Sequence, residues 1–181
     1  MPTQESHPLD KMRESLMATG RSPLIPESED AYGWLVGSWD LEVRRYWAVD
    51  VSGQHLKGEV HAGWTLEGMA VQDVWIMPQR GNRPTVPNKK LNMYGTTLRV
   101  WDSSIHAWRI IWCNPGGEHF QQQIGRRYGK DVVQLGTRDD GILTKWRFTE
   151  ITTSSFHWLG ESLAQDGETW NLEGEFIANR I

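Results

Sequence analysis

Residues 94–114, with the sequence YGTTLRVWDSSIHAWRIIWCN, decide the fold class of this chain. They form two runs rich in β-branched and aromatic residues, 94–101 and 108–114, with the polar turn Asp102-Ser-Ser between them. Side chains that alternate between two faces on either side of such a turn are typical of antiparallel strands joined in a hairpin. The segment therefore predicts two paired β-strands.

The same period-two pattern begins at Gly37 and runs to the end of the chain. Strands are predicted at 38–47, 56–66, 70–77, 94–101, 108–114, 120–126, 132–137, 142–149, 156–162 and 169–178, with compact turn sequences between them. About ten consecutive strands with no helix between them can bury an apolar face only as a sandwich or a closed barrel, and a meander favours closure. The predicted fold class is all-β: a closed antiparallel up-and-down β-barrel of about 8–10 strands with an N-terminal helical arm.

The N-terminal segment differs in composition from the strand-rich sequence that follows it. Residues 1–27 hold one short helical pattern, Asp10–Thr19, and then a linker with two prolines. A second short helix is expected at Ser28–Val36. The domain prediction is therefore an arm at 1–27 and a barrel domain at 28–181. The arm is either a frayed terminus or a flap laid across a pocket mouth or a neighbouring subunit, and the last case gives a homo-oligomer.

One predicted connection, at residues 78–92, is much longer than a hairpin needs. It contains three prolines and four basic residues but no acidic residue. It is either a solvated loop or a portal loop at the open end of the barrel, where its charge could attract an anionic ligand.

Composition and charge exclude several function classes. The 181 residues leave room for one ordinary domain, and 19 basic against 23 acidic residues give a net charge of −4. This balance lacks the basic excess that nucleic acids attract, so no nucleic-acid partner is expected. The single cysteine, Cys113, excludes an internal disulfide and a cysteine metal cluster.

Membrane and secretion signals are also missing from the sequence. It contains no run of about 18 apolar residues. The N-terminal MPTQESHPLDKMRESL has neither an apolar core segment nor a small-residue cleavage pattern. We therefore expect a soluble, cytoplasmic protein with no membrane partner.

The segment Trp34-Leu-Val-Gly37-Ser-Trp39-Asp-Leu41 carries a family resemblance. It resembles the Gly-x-Trp signature that opens the first strand of lipocalins and fatty-acid-binding proteins, the calycin superfamily. In those families the tryptophan lies on the barrel floor, and an arginine near the end of the last strand packs across its indole. The resemblance implies this structural pair for Trp39 and Arg180, a cation–π contact worth about 0.5–2 kcal/mol.

The resemblance covers roughly residues 30–181 in architecture, but its motifs lie only at the two ends. The cysteines of secreted lipocalins and the helix pair of fatty-acid-binding proteins are missing. Stretches such as GWTLEGMAVQDVWI, residues 63–76, are similar to uncharacterised bacterial lipocalin-like families. A haem-binding member is expected to show a glycine-rich GxWxGxGxG opening, which the sequence after Trp39 lacks, so no haem and no other cofactor is expected.

Tryptophan is the unusual residue of this chain, with 11 copies against 4 Phe and 4 Tyr. If Trp39 faces inward, alternation along each strand places most indoles on the inner face. The inward positions predicted are Trp39, Leu41, Val43, Val60, Ala62, Trp64, Leu66, Trp108, Ile110, Trp112, Trp146, Phe148, Phe156, Trp158, Trp170, Leu172 and Phe176. Indoles are rigid and carry N–H donors that need partners, so they either pack as a core or form the walls of a cavity for a flat ligand.

Polar residues on the inner face are the candidate ligand contacts. In strand 70–77 an inward Trp75 brings Asp73 into the barrel, where a carboxylate needs a partner, and Arg99 is the best placed. The two form either a structural ion pair or a polar anchor for a ligand. The predicted ligand-binding residues are Trp64, Asp73, Trp75, Arg99, Trp112, Asn114, Gln122 and Trp158.

These observations support two functional hypotheses. The first is binding of one small hydrophobic molecule, expected to be aromatic, inside a Trp-lined barrel. The alternative is a cofactor-independent lyase, isomerase or cyclase that acts on an aromatic or polyketide-like substrate, with Asp73, Arg99, Tyr94 and His61 as catalytic residues. Tyr94 and Arg99 share a face only if the strand has a bulge, for which Gly95 is the only plausible site.

Other chemistries find no motif in the sequence. It shows no nucleophile elbow, no phosphate-binding glycine loop and no metal-ligand spacing among its histidines, so no metal is expected. A third possibility is a packed barrel that binds a protein partner on its surface, and it predicts that no internal cavity exists.

Overall fold

The computed structural model describes residues 8–83 and 91–181, and most of them belong to one antiparallel sheet. The helix α1 spans Pro8–Leu16. The strands are β1 (Gly37–Tyr46), β2 (Val49–Asp50), β3 (Lys57–Thr65), β4 (Ala70–Met77), β5 (Met93–Asp102), β6 (Ala107–Asn114), β7 (His119–Tyr128), β8 (Asp131–Thr137), β9 (Leu143–Thr149), β10 (Ser155–Leu163) and β11 (Trp170–Arg180). No helix in these described ranges is long and apolar enough to span a bilayer.

The sheet closes into a barrel. Of the 11 strands, all but the two-residue β2 form the wall, each antiparallel to the next along the chain. The last strand, β11, pairs back with β1 in a register that runs from Trp39↔Arg180 to Arg45↔Glu175. The prediction of a closed antiparallel up-and-down barrel is confirmed.

Arg180 stabilises the closure of the barrel. Its guanidinium carbon lies 4.0 Å from the centroid of the Trp39 ring, as the resemblance implied. Its Nη1 and Nη2 donate to the carbonyls of Val36 and Trp34 at 2.8 and 2.7 Å. Gly37 has a φ of 132°, and a Cβ on it would collide with the Arg180 guanidinium. The Gly-x-Trp signature therefore holds glycine because the arginine occupies the space a side chain would need.

The chain before β1 closes this end of the barrel. It forms two 3₁₀ turns, Glu27–Glu29 and Gly33–Leu35, in place of the single helix expected there. Asp30 separates them, because its Oδ1 accepts hydrogen bonds from the backbone N–H groups of Tyr32 and Gly33 at 3.2 and 2.7 Å. The side chains that this segment buries are Ile25, Ala31, Tyr32 and Leu35.

The described part of the N-terminal arm packs on the same closed end. The backbone N–H of Ala18 donates to the carbonyl of Trp64, and the N–H of Leu66 donates to that of Leu16, both at 2.9 Å. Leu66, predicted to face inward, is 45% exposed, because it lies in the β3–β4 turn with a φ of 51°. The expectation of a flap over a pocket mouth is wrong for these residues. The domain division at residue 27 and the homo-oligomer stay predictions.

A β-bulge changes the facing of the last strand. The partners of β10 on β11 shift by one residue between Gly160 and Glu161, which leaves Glu173 as the extra residue. Trp170 and Leu172, predicted to face inward, therefore face outward, and the Trp170 ring lies 4.2 Å from Lys145 Nζ on the barrel exterior. Strict alternation cannot predict such an insertion.

Part of the long connection at 78–92 lies outside the described residues, namely 84–90, and the predicted portal loop falls there. Arg83 links the two strand ends at its base. Its Nη1 donates to the carbonyls of Met77 and Met93 at 3.2 and 3.1 Å, and its guanidinium lies 5.1 Å from the centroid of the Tyr94 ring.

Candidate ligand-binding cavity

A cavity opens at the end of the barrel opposite to the N-terminal arm. Its volume is about 710 Å³, including the space in its mouth. The aromatic and aliphatic part of its lining is Tyr46, Trp47, Trp75, Met93, Trp112, Trp146, Trp158 and Phe176. The polar part is Thr97, Arg99, Asn114, His119, Gln121, Arg138, Thr144 and Glu173. A mostly apolar concave site with a few polar groups is the usual form of a small-molecule pocket.

Aromatic rings form a continuous wall in this cavity. Trp158 stacks on Phe176 with the ring centroids 4.9 Å apart and the planes at 15°, and Trp75 stands 5.9 Å from Trp158. Trp146 links Trp112 and Trp158, with centroid distances of 6.0 and 5.5 Å. Stacked and edge-to-face contacts of this kind hold the rings in fixed orientations. The result is a rigid aromatic surface.

Glycine residues leave the room that two of these indoles occupy. A Cβ at Gly160 or Gly174 would come within 2.6 or 2.8 Å of the Trp158 ring, and one at Gly95 would collide with Trp112. The backbone approaches the rings so closely that a Cβ at any of these three positions would displace a ring.

Most indole N–H groups at the closed end have a backbone acceptor, with Trp101 as the exception, since its buried Nε1 has no partner among the described residues. Three indoles at the closed end donate to backbone carbonyls at 2.8–2.9 Å: Trp34 to Ala31, Trp39 to Leu35 and Trp108 to Glu29. Within residues 8–83 and 91–181, no acceptor is hydrogen-bonded to four of the five indoles that line the cavity, Trp75, Trp112, Trp146 and Trp158, whereas Trp47 is hydrogen-bonded to Tyr46. The N–H donors of these four indoles remain for solvent or a ligand.

Asp73 and Arg99 form the ion pair expected from the sequence. Arg99 Nη1 donates to Asp73 Oδ2 at 2.5 Å, and Asp73 Oδ1 accepts from the N–H of Thr97 at 3.0 Å. Arg99 Nε donates to Gln134 at 3.3 Å, and the guanidinium lies 5.0 Å from the Tyr32 ring. Burial raises the pKa of Tyr32 well above its usual range, so its hydroxyl stays protonated. Both charges are therefore compensated within the protein.

Polar side chains surround the mouth of the cavity. Arg138 Nη1 pairs with Glu173 Oε2 at 2.8 Å, and the bulge in β11 is what turns Glu173 towards the mouth. Burial lowers the pKa of the His119 imidazole, and Gln121 opposes this shift in part. His119 is therefore neutral at pH 7.

Five of the eight predicted ligand-binding residues line the cavity: Trp75, Arg99, Trp112, Asn114 and Trp158. Asp73 is buried against Arg99 and is not among the lining residues of the described chain. Trp64 lies at the closed end, with its ring centroid 6.4 Å from that of Trp108.

Gln122, predicted as a ligand-binding residue, does not border the cavity. It is exposed on the barrel exterior, and the inward side chains of β7 are Gln121 and Gln123. Three consecutive glutamines carry no apolar alternation, so the pattern within β7 is ambiguous. The signal that resolves it is the pairing of His119 with inward-facing Asn114 across the β6–β7 turn. That pairing turns the odd-numbered positions inward.

The residues of the enzymatic hypothesis do not converge. β5 pairs with β4 without a register shift, so the bulge expected at Gly95 is absent and Tyr94 faces outward, 51% exposed. His61 lies on the outer face of β3, with Nδ1 2.9 Å from Ser38 Oγ and Nε2 3.0 Å from Glu59 Oε2. Only Arg99 of the four borders the cavity.

Neither a metal site nor a known relative indicates a function for the described part of the chain. No group of three or more His, Cys, Asp or Glu side chains within the described ranges could hold a metal ion. No family model matches this sequence, and a search of curated proteins finds no match. The cavity is therefore the feature of the molecule that points to a function.

Proposed function

We propose that the protein is a calycin-like barrel that binds one small hydrophobic, aromatic molecule in the cavity at its open end. The observation that carries the proposal is the set of four cavity indoles without a hydrogen-bond acceptor in the described chain. A packed core normally satisfies its buried N–H donors, as it does for Trp34, Trp39 and Trp108 at the closed end, where Trp101 Nε1 is the exception. Indole N–H donors without an acceptor along a pocket wall can instead form hydrogen bonds with a ligand.

The shape of the cavity supports the same function. It is concave and mostly apolar, with a few polar side chains in its lining. A flat aromatic ligand that contacts Trp158 or Trp75 gains about 0.5–1.5 kcal/mol for each aromatic pair beyond the burial of its apolar surface. Since neighbouring rings already fix these indoles, little side-chain entropy is lost on binding.

Binding is favoured over turnover because the proposed catalytic groups are separated. Asp73 is held in an ion pair with Arg99, and Tyr94 and His61 lie on the barrel exterior. A general base must reach the proton that it removes, and neither exterior residue borders the cavity.

Isothermal titration calorimetry with 2-naphthol tests the proposal. We expect binding to one site per chain, and at least a tenfold loss of affinity in Trp158→Leu. Trp170→Leu is the matched control, since it removes an indole that contacts Lys145 on the exterior. Circular dichroism checks that both variants keep the fold. Absence of binding by the unsubstituted protein, or equal losses in the two variants, contradicts the proposed function.

A further inference from the structure

Two polar atoms in the cavity wall make no hydrogen bond of normal geometry within the described residues, although their side chains lie close enough for Gln121 to raise the pKa of His119. They are Oε1 of Gln121, whose residue is only 2% exposed, and Nε2 of His119. Both residues line the cavity, two positions apart on β7. Buried polar atoms are normally paired, so two unpaired atoms side by side in a pocket indicate where a ligand atom belongs.

The hydrogen-bond network fixes the orientation of the Gln121 amide. Thr144 Oγ1 donates its single hydrogen to the carbonyl of Gly136 at 3.2 Å. Thr144 Oγ1 in turn accepts a hydrogen bond from the amide Nε2 of Gln121. This arrangement leaves Gln121 Oε1, a pure acceptor, unpaired. A ligand group that bonds to Gln121 Oε1 must therefore be a hydrogen-bond donor.

The charges around the cavity are already neutralised. Arg99 is paired with Asp73 at 2.5 Å, and Arg138 is paired with Glu173 at 2.8 Å and with Asp140 at 3.4 Å. Burial keeps His119 neutral, as described above. An anionic ligand would lose its hydration without gaining an unpaired cation among the described lining residues.

We infer that the ligand is an uncharged aromatic molecule with an O–H or N–H group that donates to Gln121 Oε1. This inference rests on the proposed function and narrows its ligand class from any apolar aromatic molecule to a neutral donor, such as a phenol or an aromatic N–H compound. His119 completes the contact when the donor is a hydroxyl, since its imidazole in the Nε2–H tautomer donates to the hydroxyl oxygen.

Three 2-substituted naphthalenes of similar size separate the possible ligand classes by calorimetry at pH 7. 2-Naphthol is neutral and carries a donor, 2-methoxynaphthalene is neutral without a donor, and 2-naphthoate is an anion. We expect 2-naphthol to bind about tenfold more tightly than either of the others. It is the one compound of the three that donates a hydrogen bond to Gln121 Oε1 without burying a charge. This comparison uses the unsubstituted protein and needs no variant to fold.

Two variants, Gln121→Leu and Gln122→Leu, test whether Gln121 causes the preference for 2-naphthol. The first substitution removes the acceptor, and the second removes an identical side chain one position away on the exterior. We expect Gln121→Leu to bind 2-naphthol and 2-methoxynaphthalene equally, and Gln122→Leu to keep the preference.

The outcomes distinguish this inference from the proposed function. Equal binding of 2-naphthol and 2-methoxynaphthalene by the unsubstituted protein, tightest binding of 2-naphthoate, or a preference that survives in Gln121→Leu overturns the inference and leaves the proposed function standing. Absence of binding by all three compounds overturns both.

Discussion

The two ends of the barrel interior use the same residue type in different ways. At the closed end Trp34, Trp39 and Trp108 donate to backbone carbonyls, and Arg180 covers Trp39. At the open end four indoles, those of Trp75, Trp112, Trp146 and Trp158, stand against one another around a cavity, and their N–H groups have no acceptor in the described chain.

The difference shows that indole content alone does not define a binding site. What distinguishes the two ends is the backbone near each indole. The 3₁₀ turns before β1 deliver carbonyls to the closed end, because the last carbonyls of short turns lack partners within the turn. At the open end the neighbouring strand backbone is engaged in the sheet, and no main-chain acceptor among the described residues is hydrogen-bonded to these four indoles.

The largest expected effect is at the Asp73–Arg99 pair, below the cavity. Arg99→Met leaves a buried carboxylate without its cation, and we expect the free energy of unfolding to fall by about 3–5 kcal/mol. Urea denaturation followed by circular dichroism measures it. The double variant Asp73→Asn/Arg99→Met removes both charges and should recover part of the loss. A double variant as unstable as the single one would show that the charge pairing is not the cause.

Arg180→Met tests the closed end. It removes the cation over Trp39 and two hydrogen bonds to backbone carbonyls, so we expect a loss of about 2 kcal/mol in the free energy of unfolding. The affinity for 2-naphthol should not change. A change in affinity with unchanged stability would place Arg180 in the binding site and reverse the assignment of the two ends.

Gly174→Ala tests the open end by pushing a Cβ against Trp158. We expect a destabilisation of about 1 kcal/mol, at the low end for overpacking because the ring can shift into the cavity, together with weaker ligand binding. Gly116→Ala is the control, since a Cβ there meets no atom within 4 Å. Thermal unfolding and calorimetry of both variants give the comparison. Unchanged binding in Gly174→Ala would exclude the Trp158 face from the site.

The smallest effect is the pH dependence of the cavity mouth. Burial lowers the pKa of His119 below its unfolded value of about 6.5, with Arg138, Asp139 and Glu173 as the charged groups nearby. The unfolded chain therefore binds a proton more readily, and stability falls as the pH drops below about 6.5. The loss between pH 7.5 and 5.0, measured by urea denaturation, should be smaller in His119→Gln. An equal loss would show that His119 does not contribute.

The sequence predicts the barrel and five of the residues that line the cavity. Alternation identifies the inner face wherever a strand carries large apolar residues. It predicts that Asp73 faces inward with Trp75 and that Arg99 is its partner. It fails where side chains give no contrast, as at Gln121 and Gln122, and where an extra residue is inserted, as at Glu173. The glycines that accommodate Trp112 and Trp158 depend on ring positions that only the folded barrel defines.

The side-chain indole region of a ¹⁵N–¹H NMR spectrum tests the contrast between the two ends most directly. The chain gives up to 11 indole signals, which single Trp→Phe substitutions can assign. On titration with 2-naphthol, we expect the signals of Trp75, Trp112, Trp146 and Trp158 to shift, while those of Trp34, Trp39 and Trp108 stay in place. Shifts confined to the closed-end indoles, or saturable binding that moves none of the cavity four, would contradict the proposed site.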